Sequence, residues 1–321
     1  MLLKEYKLLS GGTASITSEN MVFVFERPRT VLSTSEYLGG INKLSGVVNQ
    51  KLPEGIVYCH DLPGGSVVNY FALRAKQLGN ERMSILLTSA KMQCYGHCLA
   101  RNGEITVEAF ATGGVQGNAT RAGEPALYEE TGAGFSPLEG TINLFVFLSF
   151  ALPPGLMAKA LITLTEAKSA LLQELGVYSV YDEYTATGTS TDGVVIVIND
   201  EGFCYSDVGS HSQIGNMFAN CAKQAIFQAL RKECYITEKT QLSAKYLLEK
   251  LSKDHQAREI YFAKFNELSL DDKEQIIEAL SIWHMLKEKH AFGGLPNQSF
   301  ALLKQELFTK YSLIEDFLFI F

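Results

Sequence analysis

Four stretches of this chain concentrate hydroxyl, amide and carboxylate side chains among glycines: VLSTSEYLGG (31–40), TGGVQGNATRAGE (112–124), EGTIN (139–143) and TATGTSTDG (185–193). Side chains of these types bind carbonyls, hold a water or pass a proton, and loops at strand ends are where such chemistry is commonly done. Asp192 is the carboxylate of the last loop, a candidate general base or orienting group. His211, in Gly209-Ser210-His211-Ser212, stands just before a helical pattern. There an imidazole can accept or donate a proton, and free backbone N–H groups favour negative charge. The glycine loop at 112–123 lacks the G-K-[ST] ending of a phosphate-cradling loop and the spacing of a dinucleotide fingerprint, so its glycines do not point to a nucleotide.

Those loops need strands and helices to hold them. Met21 to Phe25 and Thr30 to Thr34 read as extended runs before a Gly39-Gly40 turn. Ser66 caps a helix that carries Val67, Tyr70, Phe71 and Leu73 and ends at Gly79. Met83 to Thr88 and Ile105 to Ala111 are strands, the latter entered through the Asn102-Gly103 turn, and Leu144 to Leu152 is the central hydrophobic strand. Thr163 to Leu175 reads as a helix closed by Gly176, with Thr163-x-x-Glu166 as its capping box. Val194 to Ile198 is a strand with Phe203 to Tyr205 as its hairpin partner across the Asn199-Asp200-Glu201-Gly202 turn. An amphipathic helix with Ile214, Phe218, Cys221, Ala225, Ile226 and Ala229 follows. From Thr237 glycine almost vanishes and helical patterns dominate. Ser269-x-x-Asp272 caps a helix whose apolar face is Ile276, Leu280, Trp283 and Leu286. A further helix spans about Phe300 to Phe308, and the aromatic tail Phe317 to Phe321 is expected to dock the extension on the main domain.

Composition bounds the partners. A net charge of -7, with no cluster of Lys and Arg, argues against a nucleic-acid surface. The six cysteines form no C-x-x-C pair, which fits reduced thiols, and Cys94, His97 and Cys98 offer too few ligands for a closed zinc site. The N-terminus lacks a basic head and a continuous apolar stretch, so secretion is not indicated and a cytoplasmic location is expected. The apolar region Ile142 to Leu164 is broken by Pro153-Pro154-Gly155 and reads as strand, turn and helix rather than a membrane span.

TGGVQGNATRAGE, EGTIN, TLTEAKSALLQELG, TATGTSTDGVVIV and GSHSQIGNMF occur in this order. With VLSTSEYLGG ahead of them they resemble the adenosylcobinamide amidohydrolase family, also called CbiZ, over roughly Thr30 to Leu230. The resemblance implies hydrolysis of the amide that joins a corrin propionyl side chain to aminopropanol, with adenosylcobyric acid as product, in corrinoid salvage. No cofactor is implied, because the cobalt belongs to the substrate. For that reaction Thr141 suits the nucleophile, with an activated water as the alternative attacker, and Asn143 suits the oxyanion donor. Asp192 and His211 would handle protons. Asn118, Arg121, Lys168, Thr189, Thr191 and Ser33 would contact the substrate, Arg121 through a donor fork that cannot act as a base. No metal is expected; a metal held by Asp192, Glu166 and His211 is a minor alternative. The segment 207–215 lacks the D-x-H-x-x-G spacing of histidine-on corrinoid binding. A corrinoid carrier or sensor without turnover is the alternative reading of the same loops.

The fold class expected is α+β: a mixed sheet covered by helices over residues 1–235, followed by an all-helical extension, 236–321. A layered α/β/β/α sandwich is the alternative architecture for the first part.

Overall fold

The computed structural model describes residues 2–8, 11–126, 140–181, 184–234, 236, 255–291 and 296–320. Glu139 of EGTIN and the start of the extension, 237–254, lie outside them. The chain divides into two compact units, Met1–Cys234 and Tyr235–Phe321.

The first unit is α+β. Its strands are β1 (Leu2–Lys7), β2 (Thr13–Thr17), β3 (Asn20–Ser33), β4 (Gly40–Lys51), β5 (Met83–Thr88), β6 (Gly96–Asn102), β7 (Ile105–Gly113), β8 (Ile142–Leu148) and β9 (Gly193–Val197). Its helices are α1 (Val67–Gln77), α2 (Pro154–Glu174) and α3 (Gln213–Cys234). The strands form one mixed sheet in the order β1-β2-β3-β9-β8-β7-β6, with β4 on the other edge of β3 and β5 beyond it. The β4–β5 and β8–β9 pairs are parallel.

β3 is the hinge of this sheet. Its first half pairs with β2 and its last residues, Val31 to Ser33, pair with β9. The two runs expected on either side of Pro28 are thus one strand, interrupted where its register with β4 shifts between Val24 and Arg29. Proline has no N–H to give a ladder, so an irregularity there is where a strand tolerates it.

The sheet curls at β3, and the inner faces of its arms meet in one core. Phe23 packs its ring 5.0–5.1 Å from Phe110, Phe145 and Phe147, and Ile16, Met21, Val47, Val195 and Val197 complete the cluster. On the outer side of β4 and β5, α1 buries Tyr70, Phe71 and Ala75 against Val48, Met83 and Ile85. α3 covers β6 and β7, with α2 beside it. Every residue of β8 and β9 is buried, as strands covered on both faces must be.

Some elements differ from the sequence expectation. α2 begins at Pro154, nine residues before Thr163. Proline fits a first helical turn, where its missing N–H is one no helix bond needs, so the Pro-Pro-Gly sequence starts this helix instead of preceding it. Thr163 is therefore mid-helix, its hydroxyl bonded to the Val208 carbonyl at 3.0 Å, and Glu166 is exposed rather than capping. Residues 203–205 form no hairpin with β9; Cys204 bridges Ala151 beyond the end of β8. Among the described residues no helix is long and apolar enough to cross a membrane.

The second unit contains α4 (His255–Glu267), α5 (Leu270–Ala291) and α6 (Asn297–Lys310), then a 3-10 stretch, Ser312–Ile320. The Asp272 N–H donates to Ser269 Oγ at 3.2 Å, the expected cap of α5. Ile276, Leu280 and Leu286 face a core that holds Tyr261, Leu307, Ile314 and Phe317. Phe317 thus packs in its own unit's interior, while the side chains of Phe319 and Phe321, the rest of the expected docking tail, lie outside the described residues.

Candidate functional site

Among the described residues β5 pairs with β4 alone, so its other edge is free to receive side chains. Ser35 Oγ donates to the Ile85 carbonyl at 2.6 Å and Asn143 Nδ2 to the Leu87 carbonyl at 2.9 Å. Between this edge, the loop after β3 and the first residues of β8 and β9 lies a cavity of about 380 Å³. Thr34 to Glu36, Thr141, Asn143 and Ser190 to Gly193 form its polar side, and Leu62, Val67 and Phe71 an apolar wall. Three of the four polar stretches therefore meet in one place.

Asp192 organises the loop that leads into β9. Its Oδ1 accepts from the Ile142 N–H at 2.9 Å and from the Thr189 hydroxyl; its Oδ2 accepts from the Thr189 N–H at 3.1 Å and from Lys168 Nζ. Four donors on two oxygens leave this carboxylate little capacity to take a proton from a substrate. The Lys168 and Asp192 side chains are 13% and 11% exposed, so the pair is nearly removed from water. Gly188 makes room for it: a Cβ there would lie 2.8 Å from Lys168 Nζ.

The Thr141 and Thr191 hydroxyls bond each other at 2.7 Å. Thr191 also has the Gly140 and Thr189 carbonyls at 3.2 and 3.3 Å as acceptors. Donation from Thr191 to a carbonyl and from Thr141 to Thr191 leaves the Thr141 oxygen lone pairs free. Asn143 gives its amide hydrogens to Asn49 Oδ1 at 2.8 Å and to Leu87, while its own Oδ1 is buried without a partner among the described residues. An oxyanion donor needs a free N–H, so Asn143 as placed offers an acceptor instead.

The remaining expected residues separate. Asn118 is fully buried and braces the site from behind, its Nδ2 donating to the Thr189 carbonyl and, at 3.3 Å, to the Gly140 carbonyl. Thr189 is likewise buried, engaged with Asp192. Ser33 is buried under the Ser84 hydroxyl at 2.8 Å. Arg121 holds the Thr185 carbonyl at 3.2 Å and lies over the Tyr184 ring; it does not line the cavity. His211 is exposed and also outside it. Its loop contacts α2 through Asp207 and Lys159, nine residues from Lys168, or about 13 Å along the helix. Among the described residues no three His, Cys, Asp or Glu side chains converge as a metal site would require.

Sequence reasoning passed over Glu36, Ser190 and Cys59, all of which line the cavity. Burial, reinforced by the Glu36 carboxylate, pushes the Cys59 thiol above its ordinary range. That shift disfavours the thiolate, the reactive form, so Cys59 belongs to the wall and not to the chemistry.

Residues 6–238 match the sequence model of the adenosylcobinamide amidohydrolase family, CbiZ, and the chain belongs to that family. A Methanocaldococcus jannaschii protein described as uncharacterized, MJ1613, is 30% identical over 232 residues, covering 67% of this chain and 87% of its own. A crystal structure of the PH0078 protein from Pyrococcus horikoshii OT3 covers 72% of this chain and 82% of its own at 9% identity, with a TM-score of 0.36.

Proposed function

We propose that this chain hydrolyses the amide between a corrin propionyl side chain and aminopropanol in adenosylcobinamide, releasing aminopropanol and leaving adenosylcobyric acid. The observation that carries the reading is the meeting of three family motifs in one cavity of about 380 Å³. That volume is at the lower end of small-molecule sites, enough for the amide arm with the macrocycle held outside.

Hydrolysis adds the oxygen of water to the amide carbon, moves one proton away from that oxygen and delivers one to the departing amine. In this reading the Thr141 oxygen, with its own proton directed to Thr191, accepts a hydrogen bond from the attacking water and holds it at the amide carbon. Asp192 acts through the backbone: by accepting the Ile142 N–H it fixes the peptide next to Thr141. Glu36, exposed and lining the cavity, is the carboxylate that takes the proton.

Incubating the purified protein with adenosylcobinamide and measuring free aminopropanol tests the reading. Release is expected, together with a loss of orders of magnitude in Thr141→Ala at retained binding. Tight binding without amine would make the protein a carrier, and equal release from simple amides would make it a general amidase.

A further inference from the structure

The loop that carries Asp192 contains a backbone feature no spacing rule reveals. The Thr191 N–H donates to the Thr189 carbonyl at 2.7 Å, closing a three-residue turn across Ser190, whose φ is 56°. A turn closed from i+2 to i with positive φ at its centre is a rare and strained form. Among the described residues only Leu38 shares a positive φ without being glycine. Such a conformation persists where the surroundings over-determine it, and it concentrates at functional sites.

Here the surroundings do so. Asp192 holds Thr189 through its N–H and its hydroxyl, Asn118 holds the Thr189 carbonyl, and Thr141 holds the Thr191 hydroxyl. Both neighbours of Ser190 are clamped, while Ser190 itself is exposed, faces the cavity and makes no side-chain hydrogen bond among the described residues.

Of the other hydroxyls that line the cavity, those of Thr88 and Ser89 accept from the Ala90 and Gly140 N–H groups at 3.1 and 2.9 Å, and the rest have protein acceptors. The Ser35 hydroxyl is bonded to the Ile85 carbonyl, the Thr34 hydroxyl lies against the Val194 carbonyl at 3.4 Å, and Thr141 and Thr191 are paired. Both hydrogens of the Asn143 amide are taken. A developing oxyanion in this site needs a donor that does not have to abandon a protein partner.

We propose that Ser190 is a catalytic residue whose hydroxyl donates a hydrogen bond to the carbonyl oxygen of the scissile amide, a bond that strengthens as that oxygen becomes an oxyanion. This rests on the amidohydrolase reading above. The strained turn fixes the hydroxyl in advance, so the donor needs no reorganisation when charge develops.

Ser190→Ala and Ser190→Gly, assayed beside the wild type, separate the possibilities. Both variants should lose about 10²–10³ in kcat with KM little changed, as for removal of one oxyanion donor. Glycine at this φ relieves the strain, so Ser190→Gly should also melt about 2 °C higher than Ser190→Ala. Wild-type turnover that survives within tenfold in both variants would overturn the role of Ser190 and leave the amidohydrolase reading intact. A wild type that binds adenosylcobinamide and releases no aminopropanol would overturn both.

Discussion

Asp192 and Lys168 exchange a hydrogen bond at a place where water scarcely reaches either side chain. Removing one partner of such a pair leaves the other charge buried and uncompensated, at a cost of about 3–5 kcal/mol, whereas removing both sacrifices less than the sum. Urea unfolding should therefore find Asp192→Asn and Lys168→Met each strongly destabilised and the double variant less so than additivity requires. Additive losses would mean that the two groups act separately. Asp192 was legible from sequence because an acidic residue in a threonine-rich loop ahead of a strand is conspicuous by type. Its bonds to Thr189 are local, three residues apart in the same loop, but the donors Ile142 and Lys168 were not legible, since they lie 50 and 24 residues away and reach the loop only through tertiary packing. Ser190 was missed for another reason: its signal is a φ angle, and serine carries no mark of that angle in the sequence. His211 was singled out by its helix N-terminus, a local cue that does not report which end of the sheet the helix starts from.

Among elements, α3 sits close enough to β6 that a side chain cannot intervene. A Cβ at Gly96 would lie 2.8 Å from the Ala225 carbonyl carbon and closer still to its oxygen, against helix backbone that cannot rotate away. Gly96→Ala should consequently push α3 off the sheet and cost about 1–3 kcal/mol, the usual range for overpacking, read as a lowered urea midpoint. An unchanged midpoint would show that the helix can shift freely. Elements with strong periodicity or clear caps were legible: α1 behind Ser66, α3 by its apolar stripe, β5, β7 and β8 by composition. β4 and β6 were not, because Asn42, Lys43, Asn49 and Gln50 in one and His97, Arg101 and Asn102 in the other break the apolar pattern. Several of those polar residues are bound to others through the tertiary fold, as Asn49 is to Asn143 and Thr112. The curl at β3 escaped notice because pairing with different partners along one strand leaves no periodic trace.

At the scale of the molecule, each unit has its own interior: the aromatic cluster around Phe23 in one, and Tyr261, Leu280, Ile314 and Phe317 in the other. The composition changes near Thr237, close to where the two units part, while the burial of Phe317 was hidden, since an aromatic tail reads alike whether it fills its own unit or covers another. Every described residue lining the proposed cavity falls between Thr34 and Gly193, and the family match ends at residue 238. A chain ending at residue 238 should then fold cooperatively, because the clusters around Phe23 and Phe71 are made of residues before it, and should release aminopropanol with kcat within about twofold of the full chain, too small a change to represent a lost catalytic contact. Circular dichroism melting would establish the fold, and steady-state kinetics on adenosylcobinamide the site. A fragment that melts normally but turns over substrate a hundredfold more slowly would mean that the helical unit supplies about 2.7 kcal/mol of transition-state stabilisation, placing part of the working site beyond Cys234.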